Sequence, residues 1–315
     1  MNIPIISGKQ IEEWVEYTEL IDLLKAAFAS GNIEVPLRNH YNLTDDDILL
    51  TMPAWKKDGP TGIKLVTVVP ENPSRGIPSI NGLYIHFDSD TRVPVCILDA
   101  KALTNKRTAA ASALASSFLS RKDSKKLLLL GTGALAPDLI HAHISVRPIE
   151  EVYVWGRNIK KAATLADLLK AKNINTQPIS DLDEVIPHMD IISAATMSKD
   201  PLIKGELVTK GTHIDLVGSY KPDMREGDDV LIQKSSLYVD TIEGATKESG
   251  DIVIPLKKEL ISEDDILGEL SSLCSSLEMK RISEDEITFF KSVGYALEDL
   301  VAGEYFYQKW LTENE

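Results

Sequence analysis

The sequence predicts an α/β fold, in which a Rossmann-type doubly wound parallel sheet accompanies a smaller mixed α/β domain. Three observations support this. An apolar segment runs into a glycine-rich turn at residues 126–136. Beyond residue 125, strand-like and helix-like segments alternate, which is typical of a parallel sheet. Before residue 100, short β-rich segments follow one another without intervening helices, which indicates a largely antiparallel sheet.

The N-terminal third is predicted to form a helix and then a set of strands. Leu20, Leu24 and Phe28 recur at helical spacing within residues 18–30, and Gly31 follows as a residue that can end the helix. The polar residues 88–91 are predicted to form a hairpin turn. The predicted strands are 48–52, 62–69, 80–87 and 93–98.

An alanine-rich helix is predicted next, over residues 104–120, with Thr104 as its N-cap. After it, helices are predicted up to residue 146, over 159–171 and, last, over 294–310. The strands between them are predicted at 126–130, 151–155, 189–194, 212–217 and 237–240. The change of pattern places domain boundaries after residues 120 and 293.

Composition narrows the classes of function. The formal net charge is −14, which argues against nucleic acid as a partner, because binding phosphates requires clustered Lys and Arg. No basic stretch followed by an apolar run opens the chain, and no apolar run approaches the roughly 20 residues that cross a bilayer. The six histidines show no metal-ligand spacing, so no metal site is expected. We therefore expect a cytoplasmic protein that binds neither nucleic acid nor membranes.

The segment KLLLLGTGALA (126–136) has the G-x-G-x-x-A form of a dinucleotide-binding motif. The first glycine permits a tight turn, the second lets a pyrophosphate approach the backbone, and the small third residue allows close packing of helix on strand. Strand, glycines, helix and second strand follow in the order that the motif requires. The residues predicted to contact the dinucleotide here are Gly131, Thr132, Gly133, Ala134, Leu135 and Ala136.

The end of the second strand of this motif favours NADPH over NADH. An NAD-binding protein usually carries Asp or Glu there, to hold the ribose 2′-hydroxyl. This chain has Gly156 at that place, and the cationic or polar residues Arg157, Asn158 and Lys160 follow it. An arginine can pair with a 2′-phosphate, and no carboxylate is present to repel it. NADPH is thus the predicted cofactor and NADH the alternative.

Three cations in the first 120 residues are candidates for binding a small carboxylate: Arg38, Lys64 and Arg107. Arg107 is predicted in the first turn of the alanine-rich helix, where the helix N-terminus adds its own partial positive charge. A lysine beside two arginines should have a lowered pKa, which suits a proton donor near neutral pH. Taken singly, each cation is more typical of an exposed surface than of a binding site.

Seven segments together resemble the ornithine cyclodeaminase/mu-crystallin family. They span nearly the whole chain in the same order as in that family. The segments are MPAW (52–55), GIKLVTVVPENPSRGIPSINGL (62–83), DAKALTNKRTAAASALAS (99–116), LLLLGTGALA (127–136), GTHIDLVGSYKPDMRE (211–226), YVDTIEGATKESGDI (238–252) and ITFFKSVGYALEDLVA (287–302).

The resemblance implies two domains with different functions. Residues 1–120 with 294–315 match the substrate-binding and dimerisation domain, and residues 121–293 match the Rossmann domain. Arg38, Lys64 and Arg107 match the carboxylate and imine site, and Ser79 matches a position near the nicotinamide. The further matches to cofactor-binding positions are Thr196, Val217, Gly218, Ser219 and Ser292. A homodimer is also implied.

One departure from the family pattern bears on the activity. Ornithine cyclodeaminases carry an aspartate two residues after a V-G pair, and this carboxylate handles the substrate amine. Here the segment reads VGSYKPDMRE, with Tyr220 at the place of the aspartate and Asp223 at a different one. The segment resembles the pyrroline-2-carboxylate (ketimine) reductase branch instead. The implied reaction is NAD(P)H-dependent reduction of 1-pyrroline-2-carboxylate to L-proline, or of 1-piperideine-2-carboxylate to L-pipecolate.

Alternatives remain at this point. The same cations would serve an ornithine cyclodeaminase or an alanine dehydrogenase of the family. A mu-crystallin-like protein that binds a ligand with NADPH and has negligible turnover is a third interpretation. Retention of Arg38, Lys64 and Arg107 together favours an enzyme, because a binding protein need not keep all three.

Overall fold

The structure, a computed structural model, describes residues 3–275 and 281–314. The chain divides into two compact units. The first contains the described residues up to Arg107 together with those from Gly294 onward, and the second is Thr108–Val293. The first boundary lies within the alanine-rich helix, at residue 107, whereas the sequence analysis placed it after residue 120.

The strands of the described residues fall into two sheets, one in each unit. The strands are β1 (Ile5–Ile6), β2 (Ile33–Glu34), β3 (Asn39–Asn42), β4 (Ile48–Lys56), β5 (Thr61–Val68), β6 (Ile80–Phe87), β7 (Pro94–Asp99), β8 (Lys126–Leu130), β9 (Glu151–Trp155), β10 (Thr176–Ile179), β11 (Ile191–Ala194), β12 (His213–Leu216), β13 (Ser236–Val239), β14 (Ile266–Glu269) and β15 (Thr288–Lys291). The helices are α1 (Gly8–Trp14), α2 (Tyr17–Ser30), α3 (Ala100–Leu119), α4 (Ala136–Val146), α5 (Ile159–Lys170), α6 (Asp229–Gln233), α7 (Ile242–Glu248), α8 (Gly250–Lys257), α9 (Leu270–Ser275) and α10 (Ala296–Asn314).

The sheet of the first unit has the strand order β1-β7-β6-β5-β4-β2, with β3 also paired to β4. Its neighbours are antiparallel except for the parallel pair β1 and β7, so the predicted largely antiparallel sheet is confirmed. Helix α10 packs across β4, β5 and β6 and against α2. Met52, Ala54, Ala296 and Leu300 form a small buried core between α10 and β4.

Two glycines let α10 approach the sheet closely. Tyr84 on β6 is 1% exposed, and its ring lies between Gly62 on β5 and Gly303 on α10. A Cβ atom at Gly62 would stand 1.8 Å from the Tyr84 hydroxyl oxygen, and one at Gly303 would stand 2.3 Å from the Tyr84 Cε1 atom. The inward-facing residues of β5 are therefore held against α10 with little free space.

The sheet of the second unit is wholly parallel, in the order β10-β9-β8-β11-β12-β15-β13-β14. Leu127, Leu128, Leu129 and Leu130 of β8 are fully buried, as expected of a strand covered on both faces. The chain runs outward from β8 to β10 on one side and from β11 to β12 on the other. The gap between β8 and β11 is thus the topological switch point of a doubly wound sheet, where ligands bind. The predicted fold class is confirmed.

The structure corrects the start of the alanine-rich helix. Helix α3 begins at Ala100, so Thr104 lies inside it and cannot be its N-cap. Asp99 serves the helix start instead: its side-chain oxygen accepts a hydrogen bond from the Ala102 backbone N–H at 2.8 Å. The prediction overlooked this earlier acidic residue at the end of β7.

Short strands were also missed. Strand β15 inserts between β12 and β13 at the centre of the parallel sheet, although it follows β13 and β14 in the chain. Its four residues, Thr288–Lys291, are too few to give a periodic signal. Among the described helices, none combines the length and apolar character that crossing a membrane requires.

Candidate active site

The first unit contains a group of buried ionic side chains on β5, α3 and α10. Lys64 on β5 is 2% exposed and Arg107 on α3 is 4% exposed. The Lys64 Nζ atom lies 2.8 Å from Asp299 Oδ1 and 2.7 Å from Asp299 Oδ2. The Arg107 Nε atom donates to the same Asp299 Oδ1 at 3.0 Å. One carboxylate on α10 therefore joins two of the three predicted cations.

A second acid completes this group. Arg107 Nη1 donates to Glu298 Oε2 at 2.7 Å, and both Glu298 and Asp299 are fully buried. Sequence reasoning missed these two residues. A signal was present, since two successive acids stand in the apolar stretch GYALEDLVA (294–302), where acids are rarely buried unless they are paired.

Gly294 permits a close approach of the backbone to Arg107. Its φ is +87°, in the region that favours glycine. A Cβ atom at this position would stand 2.8 Å from Arg107 Nη1 and 2.9 Å from Nη2. The segment that precedes α10 is thus packed directly against the guanidinium, which limits the positions that Arg107 can adopt.

Arg38 acts on the same group from the loop between β2 and β3, where it is half-buried. Burial is the largest influence on Lys64 and lowers its pKa to about 8. Arg107 and, more weakly, Arg38 lower this pKa further, while Asp299 opposes the shift. The expected direction of the shift is confirmed, but its main cause is desolvation and not the two arginines.

The position of Arg107 differs from the expected one. Because α3 begins at Ala100, Arg107 lies about two turns into the helix and not in its first turn. The field of the helix terminus fades within the first turn, so it adds little at this guanidinium. The positive charge of the site comes from its side chains: Arg38, Lys64 and Arg107 outnumber Glu298 and Asp299 by one when Lys64 is protonated.

Ser79 stands just before β6, half-buried, and its carbonyl accepts a hydrogen bond from Val69 N at 2.8 Å.

In the second unit, the glycine turn stands at the carboxyl end of β8. Gly131 has φ +122°, and a Cβ atom there would stand 2.7 Å from the Ala195 carbonyl oxygen, so only glycine fits. A Cβ atom at Gly133 would meet no protein atom within 4 Å. The protein's own packing therefore does not require glycine at 133, whereas the approach of a pyrophosphate does. Ala136 is buried at the start of α4, and Pro137 follows within the first turn.

The remaining residues of this turn have different exposures. Gly133 and Ala134 are exposed, while Gly131, Thr132 and Leu135 are half-buried. The N-terminal turn of α4 follows them, with N–H groups available to an anion. The turn therefore fits the pyrophosphate of a dinucleotide.

Cationic side chains stand exposed after β9. Asn158 is the N-cap of α5, and its side chain accepts a hydrogen bond from Lys160 N at 3.0 Å, so it has a structural role. Arg157, Lys160 and Lys161 are exposed. Their side chains pair with no other residue in the described part of the chain. A Cβ atom at Gly156 would stand 2.8 Å from Thr132 Cγ2, at the end of a side chain that can rotate away.

The predicted cofactor residues beyond β11 and β12 are held by other parts of the unit. Thr196 N and Oγ1 donate to Glu226 Oε1 at 2.6 and 2.8 Å, and Gly218 N donates to Glu226 Oε2 at 2.9 Å. Val217 N donates to the Ala194 carbonyl at 2.9 Å. Sequence reasoning missed Glu226, although it lies in the quoted segment 211–226.

Two of the serines predicted to contact the cofactor are buried and form hydrogen bonds with other side chains. Ser219 Oγ lies 2.7 Å from Ser249 Oγ. Ser292 Oγ donates to Asp240 Oδ2 at 3.0 Å. Both side chains are at most 2% exposed, so they shape the loops around them from within.

Tyr220 is half-buried, and burial is the main cause of a raised pKa for its phenol, which is therefore neutral at physiological pH. The nearby Asp223 is exposed and forms an ion pair with Lys199 at 2.7 Å. Asp223 therefore does not substitute for the aspartate that Tyr220 replaces.

The chain is similar to proteins of known family along nearly its whole length. The model of the ornithine cyclodeaminase/mu-crystallin family matches residues 4–314. A Delta(1)-pyrroline-2-carboxylate reductase of Colwellia psychrerythraea is 39% identical over 308 residues, which are 95% of this chain and 96% of that protein.

Solved structures agree with this similarity. The Delta(1)-pyrroline-2-carboxylate reductase of Thermococcus litoralis, in complex with NADH and L-proline, superposes with a TM-score of 0.94 at 34% identity, covering 99% of this chain and 98% of that one. An archaeal alanine dehydrogenase dimer with bound NAD superposes with a TM-score of 0.93 at 27% identity, covering 100% and 98% of the two chains.

Proposed function

The chain belongs to the ornithine cyclodeaminase/mu-crystallin family, and we propose that it reduces a cyclic ketimine carboxylate with NAD(P)H. The substrate is 1-pyrroline-2-carboxylate, giving L-proline, and 1-piperideine-2-carboxylate, giving L-pipecolate, is a second substrate of the same chemistry. The observation that carries the proposal is the group of buried charges around Lys64, Arg107 and Asp299. The similar Colwellia and Thermococcus reductases support it.

The charge of this group suits a monoanionic substrate. Three cations and two carboxylates leave one positive charge in excess when Lys64 is protonated. A substrate carboxylate neutralises that excess through charge-assisted hydrogen bonds from Arg38, Arg107 and Lys64. Binding through the carboxylate fixes the orientation of the adjacent C=N bond, so most of the catalysis comes from positioning.

Reduction of the imine needs a hydride at C2 and a proton at nitrogen. A bound nicotinamide supplies the hydride from its C4 atom. As the C=N π electrons move to nitrogen, the Lys64 ammonium can donate a proton to that nitrogen and is left as a neutral amine. A lysine with a pKa of about 8 is mostly protonated at pH 7 and still gives up its proton readily. We therefore assign Lys64 as the proton donor.

Ornithine cyclisation is not supported by this site. That reaction needs a base to handle the substrate amine, and Tyr220, a neutral phenol, stands where the cyclodeaminases carry their aspartate. Asp223 is paired with Lys199 at the surface. A preformed cyclic imine has no such requirement.

The exposed cations after β9 support a preference for NADPH. Arg157 and Lys160 can pair with a 2′-phosphate, and Gly156 leaves no carboxylate to repel it. NADH, which the Thermococcus reductase binds, is expected to serve as a poorer cofactor. The dinucleotide would lie along Gly131–Ala136, with its nicotinamide end near Thr196 and Gly218. A cytoplasmic location is proposed on the sequence alone.

The proposal is tested by following NADPH oxidation at 340 nm with 1-pyrroline-2-carboxylate. We expect turnover with the imine, and neither ammonia release from L-ornithine nor turnover with pyruvate and ammonium. Arg38→Ala should lower kcat/KM about 10- to 100-fold, because it removes a charge-assisted contact. Arg75→Ala, at an exposed site, is the matched control. Turnover with pyruvate and ammonium alone would identify an amino-acid dehydrogenase, and NADPH binding without any turnover would identify a binding protein.

The role of Lys64 is tested by the pH dependence of kcat/KM. The pKa of Lys64 is lowered to about 8, so its positive charge is present below pH 8 and is lost above it. We expect kcat/KM to fall above pH 8 in the wild type. In Lys64→Arg the guanidinium keeps the positive charge but cannot act as a proton donor, so kcat should be strongly reduced and the residual activity should lack the alkaline limb near pH 8. The imine nitrogen titrates equally with both proteins, so the difference between the two profiles reports Lys64. An unchanged limb in Lys64→Arg would show that another group is responsible.

The cofactor preference is tested with Arg157→Ala. Loss of a charge-assisted contact to the 2′-phosphate should raise the KM for NADPH about tenfold or more. The KM for NADH should stay within about twofold, so NADH is the internal control. Lys172→Ala, an exposed lysine beyond α5, controls for net charge. An equal effect on both cofactors would argue against recognition of the 2′-phosphate by Arg157.

We further propose a homodimer formed through the first unit. Helix α10 covers one face of its sheet, while Ile63, Leu65, Leu83 and Ile85 form apolar cross-strand pairs on the other face, with Leu83 49% exposed. Light scattering after size exclusion should give about twice the chain mass of 34.7 kDa. Leu65→Lys with Leu83→Lys should shift it toward the monomer mass, and a wild-type monomer would contradict the proposal.

A further inference from the structure

We propose that Glu226 is a positioning residue, whose buried carboxylate ties the loop after β11 to the loop after β12 and thereby sets the affinity for the nicotinamide end of the dinucleotide. The inference rests on the proposed function in one respect, that these two loops hold the cofactor. It concerns cofactor binding only, so it does not depend on which imine is reduced.

The geometry shows a single carboxylate shared by two loops. Glu226 Oε1 accepts hydrogen bonds from Thr196 N at 2.6 Å and Thr196 Oγ1 at 2.8 Å, and Oε2 accepts one from Gly218 N at 2.9 Å. Thr196 and Gly218 each stand two residues beyond the ends of β11 and β12, which are adjacent parallel strands. The carboxyl ends of such strands beside the switch point are where a dinucleotide contacts a doubly wound sheet.

The two loops touch each other at this point. A Cβ atom at Gly218 would stand 1.9 Å from the Thr196 carbonyl oxygen and 2.5 Å from Glu226 Oε1. Only glycine allows this approach, so the carboxylate lies in a space closed by both backbones. Glu226 itself is fully buried, and the hydrogen bonds it accepts cannot be replaced by water without opening the loops.

The backbone of Glu226 is also fixed. Asp251 Oδ1 accepts hydrogen bonds from Glu226 N at 2.8 Å and Gly227 N at 3.1 Å. The Glu226 carbonyl accepts from Leu202 N and Ile203 N, each at 2.9 Å. Since the residue is held on both sides, the orientation of its carboxylate is determined by the fold, and the loops adjust to it.

The charge of Glu226 is poised near neutral pH. Burial raises the pKa of Glu226 to about 7, Lys291 opposes this rise, and Asp251 adds to it. Lys291 and Asp251 are themselves buried, and Lys291 Nζ lies 3.6 Å from Asp251 Oδ2. Protonation weakens the charge-assisted hydrogen bonds to Thr196 and Gly218. The loops should therefore be held together above pH 7 and loosened below it.

The test measures the dissociation constant of NADH between pH 6 and pH 8.5, by the change of nicotinamide fluorescence on binding. NADH is chosen because it lacks the 2′-phosphate, whose second ionisation near pH 6 would add a titration of its own. If only the form with ionised Glu226 binds well, the Kd should rise about tenfold from pH 8 to pH 6. This wild-type titration needs no variant, so it decides even where a variant fails to fold.

Variants identify the titrating group. Glu226→Gln keeps an acceptor for Thr196 but presents an N–H to Gly218 N, so its Kd at pH 8 should approach the wild-type value at pH 6 and be independent of pH. Lys291→Met removes the cation that lowers the pKa of Glu226, so its binding midpoint should move to higher pH. Glu184→Gln, at an exposed acid, is the matched control and should keep the wild-type profile.

The possible outcomes are distinguishable. A wild-type Kd that is constant over this pH range, or a slope that persists in Glu226→Gln, would overturn the inference and leave the proposed function standing. A pH-dependent Kd that is lost in Glu226→Gln supports the inference, even for a protein that fails to reduce the imine and so contradicts the proposed function. Failure to bind either NADH or NADPH at any pH would overturn both.

Discussion

Burial of Lys64 and Arg107 is the constraint on which the first unit depends. Removing an unpaired charge from water costs several kcal/mol, so two buried cations require buried anions at hydrogen-bonding distance. Glu298 and Asp299 supply them from α10, which must therefore lie against β5 and α3 in a defined register. Gly62 and Gly303 allow that approach by leaving room for Tyr84, and Gly294 allows it beside the guanidinium. The pairing thus orders the site and attaches the C-terminal helix.

The second unit depends on close approach of its backbone, and glycines make that approach possible. The elements proposed to bind the dinucleotide are backbone groups at the carboxyl ends of β8, β11 and β12. Backbone groups can approach a ligand or one another only where side chains are absent. Gly131 and Gly218 satisfy this condition against neighbouring carbonyl groups, while Gly133 leaves its space open. Because loops carry weaker packing than strands, they need an internal anchor, and the buried Glu226 carboxylate is one.

The sequence predicted the fold well where the signal was local. Strands β8 and β9 have the predicted bounds, and the predicted glycine turn lies at the carboxyl end of β8, beside the switch point that the strand order shows. Features that depend on distant parts of the chain were missed. Glu298 and Asp299 lie 191 and 192 residues from Arg107, and four-residue β15 enters the sheet out of chain order. The sequence identified the cations as candidate site residues because residue type can be read from the sequence directly. It could not show which acids pair with them, because those pairs form only in the fold.

The roles proposed for Lys64 and Glu226 set opposite limits on the pH at which the protein works. Lys64 must keep its proton, and its pKa is lowered to about 8, whereas Glu226 must lose its proton, and its pKa is raised to about 7. Burial is the largest cause of both shifts. It disfavours the charged form of each group, so it lowers the pKa of the lysine and raises the pKa of the glutamate. In the proposed roles Glu226 acts on cofactor binding and Lys64 on the substrate carboxylate and imine nitrogen, so the acid and alkaline limbs of the pH profile have different origins. Saturating cofactor should therefore remove the acid limb and leave the alkaline one, which separates the two groups without a mutation.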